Sequence, residues 1–193
     1  DRRLSVLNIF SNFLRSKDPG TIIVAINGLI HFNAKINQND IPYITQYLHD
    51  GLLWQPALRY LGSDDFSGHT IEVNEELIRA LVFRAGESKL SLLILLRIAN
   101  TKSGSETLLS YPQWMVLSEK HPNKAFQIFG VLFRNKDNRK RIIFSQEFPY
   151  FLKNLIVNGD DFYIAAIPSI LKRSFTLINA INKDYGKKVI KLM

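Results

Sequence analysis

The sequence predicts an all-α fold: a right-handed α-solenoid of about four stacked helical repeats, in one domain over residues 1–193. Three observations lead there. First, a stretch occurs twice, NKDNRKRII at Asn135–Ile143 and NKDYGKKVI at Asn182–Ile190, an offset of 47 residues. Second, each copy follows an apolar stretch with helical periodicity. Third, strand-type alternation is rare, and Asn27-Gly28 lies inside a helical pattern rather than marking a hairpin.

The elements follow in order. Leu4–Leu14 carries apolar residues at helical spacing, and Asp18-Pro19-Gly20 stops it with turn chemistry. Ile22–Phe32 is a second apolar helix. Asp40 is placed to cap the next one, with Pro42 tolerated in its first turn. Ile41–Leu48 and Leu52–Leu61 form one helix interrupted near Gly51, or two short ones. Gly62–Thr70 reads as a loop. Asn74 is the N-cap candidate of a helix that Glu75 and Glu76 open and Ala85-Gly86 closes. Ser88 is placed to cap Leu90–Ala99, the most apolar run. Lys102–Ser105 reads as a polar turn before a short helix at Glu106–Leu109, and Pro112 precedes another at Trp114–Leu117. Lys124–Phe133, Arg139–Phe144 and Phe148–Val157 form the next group. Phe162–Leu171, Ser174–Ile181 and Gly186–Met193 close the chain.

Three segments share one grammar of long apolar helix, polar turn and short helix. They begin at Ser88, Lys124 and Ser174. Such a unit alone exposes half its apolar face, and stacking hides it. Approximate repeats fall at 1–61, 72–117, 122–157 and 159–193. Because the chain begins at Asp1, it is expected to be a segment of a longer protein, and such a segment can lack capping repeats.

Composition narrows the function. Apolar residues are 46% of the chain, enough for a continuous core. With no cysteine there is no disulfide, thiolate metal site or cysteine nucleophile. No Asn-x-Ser/Thr sequon or signal pattern appears, which fits an intracellular protein, cytoplasmic or nuclear. His31, His49, His69 and His121 have no partner at helical spacing, so no metal site is expected. Adjacent carboxylates at Asp64-Asp65, Glu75-Glu76 and Asp160-Asp161 point apart on a helix and read as caps and solvated loops. No nucleotide-binding glycine motif or nucleophile elbow is present. Neither an enzyme activity, a small-molecule substrate nor a cofactor is expected.

The net charge of +8 is unevenly spread. Residues 1–119 hold 11 basic and 12 acidic side chains, whereas residues 120–193 hold 14 and 5. Arg134, Lys136, Arg139, Lys140, Arg141, Lys183, Lys187 and Lys188 are therefore the candidate partner-binding residues, a positive stripe along the last two repeats. Such a stripe suits an acidic protein surface or segment. Nucleic acid or an anionic membrane is the second reading, and a regulatory segment of a larger enzyme such as a kinase the third. Aromatic residues at Phe144, Phe148, Tyr150, Phe151, Tyr163 and Tyr185 interleave with the stripe, most of them at core spacing.

The segment Ala125–Ile156 resembles an armadillo repeat, and the 47-residue offset lies in the range of armadillo and HEAT units. The resemblance lies in an apolar helix ending at Phe133, a polar turn with Asn138, a short helix at Arg139–Phe144 and a new helix near Pro149. It implies an interaction scaffold or adaptor. Armadillo proteins that carry nuclear import cargo present a Trp and an Asn on successive groove helices. Here Trp54 and Trp114 lie elsewhere, and Arg97, Leu132 and Ile178 stand where the Asn is expected. Recognition of basic peptides is therefore not implied.

Overall fold

The computed structural model describes residues 2–63, 72–161 and Ala165. Among these the fold is all-α, with eleven α-helices, two 3-10 turns and no strand. No described helix is long and apolar enough to cross a membrane. The chain divides into two compact units, the first ending at Thr107 and the second beginning at Leu108.

The first unit opens with α1 (Arg2–Phe13) and α2 (Pro19–His31). Asp18 does more than end α1. Its Oδ2 accepts the Thr21 N–H and the Thr21 hydroxyl, both at 2.7 Å, so α2 starts at Pro19 rather than Ile22. These hydrogen bonds hold the Asp18 carboxyl below its usual range. After a 3-10 turn at Gln38–Asp40 come α3 (Ile41–His49) and α4 (Trp54–Ser63), two separate helices. Asp50 makes the break between them, its Oδ1 accepting the Leu52 and Leu53 N–H groups. Gly62 and Ser63, expected in a loop, complete α4; residues 64–71 lie outside the described residues.

Next come α5 (Glu75–Ala85), α6 (Lys89–Ala99) and α7 (Lys102–Ser110). Asn74 caps α5 as its sequence position predicts, its Oδ1 2.9 Å from the Leu77 N. Ser88 holds the N-cap position of α6, but its side chain makes no capping bond. The polar turn expected at Lys102–Ser105 is helical instead. The Thr101 hydroxyl accepts the Gly104 N–H at 3.0 Å, which starts α7 four residues early.

Packing in this unit is regular. α1 packs on α2, α3 on α4 and α5 on α6, while α2, α4 and α6 pack in series and α3 packs on α5. The core is aliphatic, including the fully buried Ile26, Ile44, Leu48, Leu61, Leu81 and Leu95. Two charged residues are buried among the described residues of this unit, Asp40 and Arg84. Arg84 is 8% exposed, and its Nε donates to the Leu48 carbonyl at 2.7 Å, at the C-terminal end of α3. Its Nη1 pairs with Glu87 at 3.0 Å, and its guanidinium lies 4.7 Å from the Trp54 ring centroid. One fork thus ties α3, α4 and α5, and it sits at the negative end of the α3 dipole.

The second unit holds a 3-10 turn at Pro112–Val116, then α8 (Leu117–Lys120), α9 (Pro122–Leu132), α10 (Lys136–Ile143) and α11 (Phe148–Asn158). Its core is aromatic. Trp114 is fully buried, meets Phe151 edge to face at 5.4 Å and donates its indole N–H to the Leu108 carbonyl. Phe129 lies within 5.5 Å of Phe151 and 6.1 Å of Phe148. α8, α9 and α11 pack mutually around these rings. Leu132 is fully buried, so it faces no groove. The helices expected after residue 161 lie outside the described residues.

Two outcomes are expected. Leu95→Asp places an unpaired charge in the core, a cost of several kcal/mol against a total stability of about 5–15 kcal/mol. Circular dichroism should show the first unit's helical signal lost, and a near-wild-type spectrum would mean the core lies elsewhere. Arg84→Lys keeps the charge but loses the planar fork and its stacking. It should destabilise by about 2–4 kcal/mol in urea titration, since the Leu48 carbonyl then lacks its donor.

Candidate functional site

α10 begins where the repeated NKD motif begins. The Asn135 Oδ1 accepts the Asp137 N–H at 2.8 Å, so Asn135 is the N-cap and Lys136 the first helical residue. The sequence places this start three residues later, at Arg139. Asp137 stands in the first turn, and Lys140 and Arg141 in the last, each complementing the helix dipole at its own end. Only Asn138 and Ile142 of α10 are buried. At 100° per residue these two share one row, with Lys136, Asp137 and Lys140 on the opposite half and Arg141 on its flank.

The stripe residues fall into three groups. Arg134, Lys136, Lys140 and Arg141 are exposed, and the first three have no ion-pair partner among the described residues. The Arg141 Nη2 reaches the Ser110 hydroxyl at 3.4 Å. Arg139 is half-buried; its guanidinium lies 5.9 Å from the Phe133 ring, and its Nε has no hydrogen-bond partner. It turns inward from the face that the others form. Lys183, Lys187 and Lys188 lie outside the described residues.

The aromatic residues separate as well. Phe148 and Phe151 are core, as their spacing predicts. Tyr150 is 50% exposed and donates its hydroxyl to Glu119 at 3.0 Å. Phe144, expected inside a helix, is the C-cap of α10 and is 74% exposed. The buried row of Asn138 and Ile142 does not pass through it. His121, at the start of α9, is held below the usual imidazole range, first by partial burial and then by Lys124 and Lys120. It therefore adds no charge near pH 7, and the positive field of this unit comes from Lys and Arg.

Two clefts lie among the described residues of the first unit. One of about 490 Å³ lies among α1, the α2–α3 connection and α4, with Asn8, Ser11, Asn33, Asp40 and Tyr60 in its lining. Asp40 was expected to cap α3, and it stands at the N-cap position, but it makes no capping bond. Its Oδ1 instead accepts the Ser11 hydroxyl at 2.7 Å, and the residue is 2% exposed. Burial raises its pKa, opposed by the Ser11 bond and by Arg15. The other cleft, about 570 Å³, lies between the α1–α2 turn and α3, beside Arg15, Lys17, Tyr43 and His49. The Arg15 guanidinium lies 5.6 Å from the Tyr43 ring. Among the described residues, no three His, Asp or Glu side chains gather as a metal site.

Comparison with protein-family models, with curated proteins and with solved structures returns no match.

Asp40 provides a test of the first unit. Its pKa is raised in the folded state, so below the ordinary carboxylate value of 3.8 both folded and unfolded chains hold the proton. As pH rises through the raised folded value, the unfolded chain is the better acid and stability falls. Asp40→Asn keeps an acceptor for Ser11 and removes the charge. Its melting temperature should exceed that of the wild type at pH 7, and the gap should close near pH 3. An equal gap at both pH values would show that the carboxylate is not desolvated.

Proposed function

We propose that this chain is an interaction module, an armadillo-like α-solenoid that docks an acidic protein partner as a scaffold or adaptor does. The observation that carries the reading is the outward half of α10, where Lys136, Lys140 and Arg141 stand exposed against the single carboxylate of Asp137. A helix that needed those positions only for solubility gains from mixed signs at i,i+4. Asp137 and Arg141 have that spacing, but Lys136 and Lys140 are like charges one turn apart, a small cost in helix stability. Arg134 extends the patch at the α9–α10 turn, and Lys183, Lys187 and Lys188 would continue it in the second copy of the motif. Repeat architecture is supported by the serial packing of α2, α4 and α6 beside the α3–α5 contact, the pattern that stacked helical hairpins adopt. The long-helix, turn, short-helix order of α9 and α10 adds to it. The reading involves neither a catalytic step nor a cofactor.

Affinity capture from cell lysate, with and without nuclease, tests it. The variant reverses Lys140, Arg141, Lys187 and Lys188 to Glu. The expected result is a protein that survives nuclease with the wild type and is lost with the variant. Nucleic acid in the wild-type capture, with all partners lost after nuclease, would replace this reading with phosphate binding. Unchanged capture by the variant would remove the patch from any role.

A further inference from the structure

We propose that the α10 face takes an acidic protein segment that also carries an apolar side chain, with Phe144 as the anchor. This deepens the reading above and rests on it. Among the described residues no large apolar side chain is more exposed than Phe144, at 74%. It follows Lys140 by four residues and Arg141 by three, so on the helical wheel it falls between them on the outward half. No described cation or ring stacks on it. An apolar ring held among exposed cations is half of an interface core, where an aromatic anchor supplies affinity and the charged rim supplies steering.

Charge complementarity sets the sign of the occupant, and Asp137 sets its class. That exposed carboxylate stands one turn before Lys140 and Arg141 and falls between them on the helical wheel. It repels a continuous run of phosphates, whereas a protein segment can place a neutral or basic residue opposite it. Phenylalanine also lacks a hydroxyl with which to bond a phosphate. The second copy of the motif has Lys191 at the position of Phe144, so the anchor belongs to this repeat and fixes where the apolar side chain lands.

The experiment is fluorescence anisotropy with two labelled Glu-rich peptides on the whole chain. One carries a pair of leucines one helical turn apart, and its counterpart has serines there. The leucine peptide is expected to bind about tenfold tighter, the loss typical of removing an interface anchor. Phe144→Ala should abolish that preference and leave the melting temperature unchanged. The double variant Lys140→Glu, Arg141→Glu should weaken both peptides. Equal binding of the two peptides, or a preference that persists in Phe144→Ala, overturns the anchor alone if the double variant still weakens both. Undiminished binding by the double variant overturns the basic patch as well. Failure of both peptides to bind, or tighter binding of labelled single-stranded RNA or anionic phospholipid vesicles, overturns the proposal.

Discussion

The exposed face of α10 depends on an aromatic cluster to which α10 contributes no ring. Trp114, Phe129, Phe148 and Phe151 lock the 3-10 turn, α9 and α11 together. Removing a ring from such a core typically costs about 3–5 kcal/mol, more than any surface ion pair supplies. With the core closed in this way, α10 is a strap between two packed helices. It needs only Asn138 and Ile142 to hold it down. The other half of its surface is left without a packing role, and that half carries the charge.

Polar contacts finish the frame. The Asn154 amide donates to the Ser118 hydroxyl at 3.1 Å, which in turn donates to the Met115 carbonyl, so α11 is keyed to α8 in the interior. Asp160, just past α11, exchanges hydrogen bonds with Asn123 in the first turn of α9. These bonds pair buried or terminal polar groups and so fix orientation. Arg84 does the equivalent in the first unit, where its fork ends α3 and its plane covers Trp54. In both units charge is placed where a helix end or an aromatic face receives it. On α10, Lys136 breaks that pattern, a cation at the positive end of the helix dipole.

Periodicity alone located nearly every described helix, because apolar rows at 3.6-residue spacing survive any detail of the turns. Helix starts were less legible. Asp18, Thr101 and Asn135 each begin a helix several residues before its apolar row, and the signal was a capping side chain two or three residues ahead of the N–H it accepts. Arg84 was missed because charge usually marks a surface. Its position seven residues after Leu77, on the apolar row of α5, was the available clue. Asp40 misled for the opposite reason, since a good capping residue found a better donor in Ser11, 29 residues away. Phe144 is one of six aromatic residues of which most have core spacing, and its place off the row of Asn138 and Ile142 is what leaves it exposed. The basic stripe was readable as composition. That Arg139 turns inward onto Phe133 is a matter of packing that composition does not hold.

The most direct measurement uses Lys136→Glu. At the first position of α10 a glutamate complements the helix dipole and faces Lys140 at i+4, so a purely structural helix should gain about 0.5–1 kcal/mol. If the outward half of α10 is an interface for an acidic partner, thermal unfolding should show a more stable protein that captures less of that partner from lysate. A more stable variant that captures as much as the wild type would contradict the account, because the charge would then serve folding and solubility alone.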